Sequence, residues 1–185
     1  MQSFPRKIRV CIATQTLTLS ETHAETHGEA HSETQAPPFS AQPIQPSETP
    51  EQLLAVYTIS TSGHGIGTEP GSHKTPTGHF RIAEKIGHNA PLGTIFKARV
   101  PTGKVAEHQC PGDPSDAITT RILWLEGTEP HNANTKERYI YIHGTNHEET
   151  IGQPCSHGCV RMRNADIAAL FDQVSAGTHV EITAP

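Results

Sequence analysis

A chain of 185 residues is the size of one domain, long enough to bury its own core without disulfide or metal staples. Its hydrophobic content is low at 34%, and 15 Pro with 15 Gly point to a loop-rich, mainly β protein. The net charge of −5 is concentrated: six Glu and no Lys or Arg lie between Ser20 and Glu51, leaving 14 basic against 13 acidic residues elsewhere, which excludes the basic face of a nucleic-acid binder.

No apolar run approaches the roughly 18 residues of a membrane span. The N-terminal residues MQSFPRKIRV hold basic side chains but no uninterrupted apolar stretch and no small-residue cleavage site, so no secretion signal is visible. Instead Ile8, Val10 and Ile12 alternate with polar neighbours. A strand is expected over 8–19, or two short ones broken near Ala13–Gln15, with Leu17 and Leu19 resuming the alternation.

From Ser20 the composition changes. His23, His27 and His31 recur four apart, as do Glu21, Glu25, Glu29 and Glu33, a spacing that would stack each set on one helix face. No apolar stripe exists to dock such a helix, and five prolines follow between Pro37 and Pro50. Residues 20–51 therefore read as a disordered, low-complexity Glu/His/Pro-rich insertion, with metal chelation by the spaced histidines as the sharper alternative.

Strands are predicted over 52–60, 79–87, 94–100, 118–126 and 138–144, where β-branched and aromatic residues alternate with polar ones. In the last of these, Tyr139 and Tyr141 should face away from Ile140 and Ile142. A glycine- and proline-rich loop spans 63–78, and a polar hairpin loop spans 127–137. One helix is legible: Asn164 as its cap, Asp166 in its first turn, Ile167, Leu170, Phe171 and Val174 along one face, and Gly177 as its stop. A closing strand over 178–182 follows. The expected fold is a mainly β sandwich or sheet with one or two short helices, the first strands in 1–19 and the catalytic unit in 52–185.

The densest polar cluster, HGTNHEETIGQPCSHGCVRM over 143–162, lies between the 138–144 strand and the helix. A cysteine nucleophile needs a base or a positive field, because a free thiol with a pKa of about 8.5 is only a few per cent thiolate at neutral pH. It also needs N–H donors for an oxyanion, and the Ser156-His157-Gly158-Cys159 turn supplies backbone that glycine leaves accessible. Two histidines compete as base: His157, two residues from Cys159, and His143, at a strand end 16 residues upstream. Arg161 shares the face of Cys159 if the segment is extended and could clamp a carboxylate bidentately. The four cysteines, Cys11, Cys110, Cys155 and Cys159, form no disulfide framework. Cys155 reads as a loop thiol, and its pairing with Cys159 would disable the nucleophile.

Ile142-His143-Gly144-Thr145, Ile151-Gly152 and Ser156-His157-Gly158-Cys159-Val160-Arg161-Met162, with Lys74-Thr75-Pro76-Thr77-Gly78 upstream, resemble the signature of the L,D-transpeptidase (YkuD-type) catalytic domain. The resemblance covers about Leu53 to Ile182. It implies Cys159 as the acylated nucleophile, His143 as the base in preference to His157, and Arg161 with Thr145 as substrate contacts. Ser156, His157, Gly158 and Gly144 are implied as oxyanion and positioning residues. The implied chemistry is cofactor-free and metal-free: Cys159 takes the acyl group of a peptidoglycan stem peptide and passes it to a second stem as a 3→3 cross-link. Acylation by a carbapenem and a cell-envelope location are implied with it, and a monomer is expected. Hydrolysis of stem peptides at the same site is the nearest alternative. A zinc site drawn from His143, His147, Cys155, His157 and Cys159, or a non-catalytic peptidoglycan-binding module, are the others. His64, His73, His88 and His179 read as solvent-facing, and Trp124 and Tyr141 as core or groove wall.

Overall fold

The computed structural model describes residues 5–22, 51–106 and 116–184. The described residues hold ten strands: β1 (Arg6–Cys11), β2 (Thr16–Thr22), β3 (Glu51–Thr58), β4 (Gly78–Ile86), β5 (Thr94–Lys97), β6 (Val100–Val105), β7 (Ile118–Gly127), β8 (Tyr141–Thr145), β9 (Val160–Met162) and β10 (His179–Thr183). They form one sheet in the order β3-β2-β1-β10-β4-β7-β5-β6, from which β8 branches on β7 and carries β9. Helix α1 (Asn164–Gln173) packs on it, and two short 3-10 helices span Pro130–Thr135 and Glu148–Thr150. The mainly β expectation stands.

Alternation explains which face each strand buries. In β1, Ile8 and Val10 are buried while Arg9 between them is exposed. Leu17 and Leu19 of β2, Phe80 and Ile82 of β4, Leu123 and Leu125 of β7, and Val180 and Ile182 of β10 join them in one core. Ile167, Leu170 and Phe171 of α1 close that core from above. Each such side chain contributes roughly 1.5–3 kcal/mol by leaving water. A smaller cluster of Phe96, Ile122 and Tyr141 lies apart, and Cys159 packs against it.

Several boundaries differ from the sequence expectation. The first segment takes the broken form of the expectation, two strands in a hairpin turning at Gln15, whose backbone is left-handed (φ 50°). The 94–100 segment is also a hairpin, because Ala98 and Arg99 take φ 49° and 68° and send β6 back along β5. Strand β6 itself, VPTGKV, is exposed throughout and shows no alternation. Ladder pairing in the 138–144 segment begins only at Tyr141, since Tyr139 turns at φ 57°. Strand β9, three residues long, had no readable pattern. Arg163, not Asn164, is the N-cap of α1. Strands β2 and β3 run to Thr22 and from Glu51, and the spaced histidines between them lie outside the described residues.

Two contacts fix the part of the sheet that matters for chemistry. Buried Gln15 donates to Thr61 Oγ1 at 2.8 Å and accepts from Thr61 N–H at 2.7 Å, tying the first hairpin to residues 59–62. Those residues then bridge to β9 and the cysteine turn, Ser60 to Arg161 and Ser62 to Ser156.

Candidate active site

Strands β8 and β9 run parallel, with His143 opposite Arg161 and Ile142 opposite Val160. That register brings the residue before β9, Cys159, against the start of β8. The Tyr141 N–H donates to Cys159 Sγ at 3.4 Å, and Sγ in turn donates to the Tyr139 carbonyl at 3.4 Å. The left-handed turn at Tyr139 is what aims that carbonyl. Cys159, His143, Ser156, His157, Asp116 and Ile118 line a cleft of about 170 Å³.

His143 is buried, at 3% exposure. Its Nδ1 lies 2.7 Å from the Gly144 carbonyl. A carbonyl only accepts, so Nδ1 carries the proton and Nε2 is the basic nitrogen. Burial pushes the imidazole pKa down, against the smaller opposing effects of the Gly144 carbonyl and Asp116. The ring is neutral and ready to accept. Desolvation pushes the Cys159 thiol up to about 11, with the Tyr141 N–H, Arg138 and Arg161 pulling the other way. Both shifts favour the thiol and the neutral imidazole over the thiolate and the imidazolium.

The turn before Cys159 is held internally. Ser156 Oγ donates to the Cys159 carbonyl at 2.6 Å and accepts from Gly158 N–H at 3.3 Å. Gly158 stands at φ 120°, which a side chain rarely adopts, and Thr75 Oγ1 donates to its carbonyl at 3.0 Å. Thr75 thus links the Thr-Pro-Thr-Gly segment to the nucleophile. Gly144 is required on packing grounds: a Cβ there would stand 2.6 Å from Asn164 Oδ1 and 2.8 Å from the Thr119 carbonyl.

Two expected substrate contacts lie elsewhere. Arg161 is 3% exposed, and its guanidinium reaches Asp116 at 3.2 Å, Ser60 Oγ at 2.9 Å and Thr150 Oγ1 at 3.1 Å. A substrate carboxylate would have to displace Asp116 in a buried space to reach it. Thr145 is fully buried and donates to the same Asp116 at 3.2 Å. His157 is exposed, with Nδ1 3.9 Å from Asp116, and lines the cleft without bonding to Cys159.

Asp116 was missed by sequence reading, since nothing in its spacing relates it to the motif. The Tyr139 carbonyl and Tyr141 N–H were missed because backbone groups have no residue signature. Asn164 has a second role unread in the sequence: its Oδ1 accepts from the Thr119 and Thr120 hydroxyls, and its Nδ2 donates to the Thr145 carbonyl at 3.0 Å. Among the described residues no group of three His, Cys, Asp or Glu is placed to hold a metal ion, and none of their helices is long and apolar enough to cross a membrane.

A family model of the L,D-transpeptidase catalytic domain matches residues 49–182. "Probable L,D-transpeptidase ErfK/SrfK" of Salmonella typhimurium is 53% identical over 120 residues, 63% of this chain and 35% of that protein. "Probable L,D-transpeptidase YcfS" of Escherichia coli is 34% identical over 133 residues, 70% of this chain and 37% of that protein. This chain thus spans about a third of the length of these curated relatives. Among solved structures, L,D-transpeptidase 3 from Mycobacterium tuberculosis, in complex with a faropenem-derived adduct, superposes with a TM-score of 0.51 at 15% identity, covering 98% of this chain and 61% of that one. That likeness speaks for the fold alone.

Proposed function

The chain belongs to the L,D-transpeptidase catalytic-domain (YkuD) family, and on that premise we propose that it forms 3→3 peptidoglycan cross-links through a thioester on Cys159. The observation that carries this reading is the pairing in one cleft of a partly buried thiol with a neutral histidine whose Nδ1 proton is already committed to the Gly144 carbonyl.

In this mechanism His143 Nε2 takes the thiol proton as Sγ attacks the carbonyl of the stem peptide's diamino acid. Proton transfer concerted with attack avoids a free thiolate, which desolvation would make costly. The backbone N–H groups of His157 and Cys159 receive the oxyanion, that of Gly158 being bonded to Ser156 Oγ. Collapse of the tetrahedral intermediate breaks the C–N bond, His143 returns the proton to the departing D-alanine amine, and the thioester remains. The side-chain amine of a second stem then attacks the thioester, giving its proton to His143, and Sγ leaves with that proton restored. Ser156, Gly158 and Gly144 position the reacting groups, and Arg161 acts from below by holding Asp116.

Intact-mass measurement after incubation with a carbapenem tests the nucleophile. A single stoichiometric adduct is expected on the unaltered protein and none on Cys159→Ala; an adduct that survives the substitution would refute the assignment. Incubation with stem tetrapeptides, with and without an amine acceptor, then reads out transfer against hydrolysis.

A further inference from the structure

With Arg161 buried on Asp116, another group must meet the carboxylate that a donor peptide brings close to the thiol. The other arginines of this part of the sheet differ in how much of their hydrogen-bonding capacity is free. Arg138 donates to the Gly67 and Lys74 carbonyls and to Ser72 Oγ, so it fastens the 63–78 loop. Arg121 donates to the Ala90 and Thr120 carbonyls. Arg99 makes one such bond, from Nη1 to Tyr141 Oη at 3.1 Å; Glu84 acts on it from a distance, and no carboxylate of the described residues forms an ion pair with it.

Its guanidinium carbon sits over two aromatic rings, 4.4 Å from the Trp124 centroid and 5.1 Å from that of Tyr139. The rings hold the cation in place, and its one bond, to Tyr141 Oη, leaves the other N–H donors for a carboxylate, which a guanidinium can meet bidentately. The shelf is continuous with the nucleophile: Tyr141 supplies the N–H on Sγ, Tyr139 supplies the carbonyl, and the Tyr141 ring stands 6.5 Å from that of His143.

The backbone supplies an independent observation. Ala98 and Arg99 form the two-residue turn between β5 and β6, with Lys97 paired to Val100, and both are left-handed at φ 49° and 68°. Such turns favour Asn-Gly, because residues with a side chain are strained there. A strained arginine at the tip of a hairpin, bonded to the tyrosine whose N–H meets Sγ, is more readily understood as a binding group than as a turn residue.

We propose that Arg99, backed by Trp124 and Tyr139 and aligned by Tyr141, anchors the C-terminal carboxylate of the donor peptide. This role rests on the transpeptidase reading above. The leaving residue's carboxylate is the one nearest the scissile carbonyl, about one peptide unit of 3.5 Å away, and so falls on the shelf next to Sγ. Arg99 is then a selector for donors that end at that residue.

Calorimetric titration in the Cys159→Ala background, where no turnover interferes, tests this with a stem tetrapeptide and its C-terminal carboxamide. With Arg99 present the acid should bind at least about tenfold more tightly than the amide, as expected for a charge-assisted bond. Arg99→Gln should lose that preference by weakening the acid alone, and Arg99→Lys should keep part of it. Arg99→Gly, which relaxes the turn, should lose the preference without a lower melting temperature. Unchanged discrimination in Arg99→Gln overturns the proposal, as does loss confined to variants that melt earlier. If neither peptide binds while Arg99 is present, the stem-peptide reading itself fails and the anchor with it.

Discussion

A thiol whose pKa is pushed up to about 11 is almost wholly protonated at neutral pH, and a buried imidazole with a depressed pKa does not hold a second proton there. Burial therefore disfavours the ion pair from both sides, and reactivity must come from proton transfer during attack. This makes a prediction about the free protein. The rate of Cys159 alkylation by iodoacetamide should climb from pH 8 towards 11 with no plateau below pH 7. His143→Gln should lower the rate of carbapenem acylation by roughly 10²–10⁴-fold, the usual contribution of a general base, while sparing alkylation at high pH. A flat alkylation rate across pH 5–8 would mean a preformed thiolate and would rule this account out.

The elements that position the site depend on partners far away in sequence. Helix α1 stacks its apolar face on the core, but its C-terminal carbonyls need a donor. Lys85 of β4 provides it, with Nζ 2.6 Å from both the Phe171 and Val174 carbonyls and 4.1 Å from the Phe171 ring centroid. Lys85→Met keeps the aliphatic stem and removes the charge at the negative helix end, so it should cost about 1–2 kcal/mol. Urea denaturation monitored by circular dichroism reads this directly, and an unchanged midpoint would assign the contact no energetic role. The helix itself was legible, because Ile167, Leu170, Phe171 and Val174 repeat with its period. Its cap was not, since Lys85 is 86 residues upstream of Phe171. The same division runs through the site. Cys159 and His143 were legible because their chemistry is in their side chains and their motif is compact. Arg161 was legible as a cation but not in its place, because burial follows from β9 entering between β8 and residues 59–62. Three residues of strand are too few to show a period. Arg99 was invisible because a left-handed turn at Ala98 and Arg99 contradicts local preference.

At the scale of the molecule, the first hairpin and the last strand close the sheet together. Strand β1 pairs in parallel with β10, from Lys7–His179 to Cys11–Thr183, and Lys7 and Arg9 both reach Glu181, at 2.8 and 3.2 Å. Those pairs sit at the surface, where each contributes little, but they add to the buried groups in setting how the fold responds to pH. His143 and His179 have depressed pKa values, both mainly through desolvation, and Glu181 is lowered mainly by its bond from Lys7. In each case the unfolded chain binds its proton more readily, so stability falls as pH drops. The histidine contributions are complete above the ordinary value of 6.5 and are lost below it; that of Glu181 is lost below 4.5. Asp166, raised by burial, opposes this weakly from the helix N-terminus. Cys159 acts at the other end: the folded protein holds its proton more tightly, so stability falls as pH rises from 9 towards 11. The melting temperature should accordingly plateau between about pH 7 and 9 and decline on both sides. His143, nearly inaccessible to solvent, shares the first acid step with His179, each adding a limiting slope of about 1.4 kcal/mol per pH unit while it titrates. His143→Gln should flatten the decline between pH 6.5 and 5, and Cys159→Ala should flatten the alkaline limb without touching the acid one. A melting temperature that stays level from pH 7 to 5 in the unaltered protein would show that His143 accepts its proton without leaving the fold, and the neutral pair inferred for the cleft would then have to be given up.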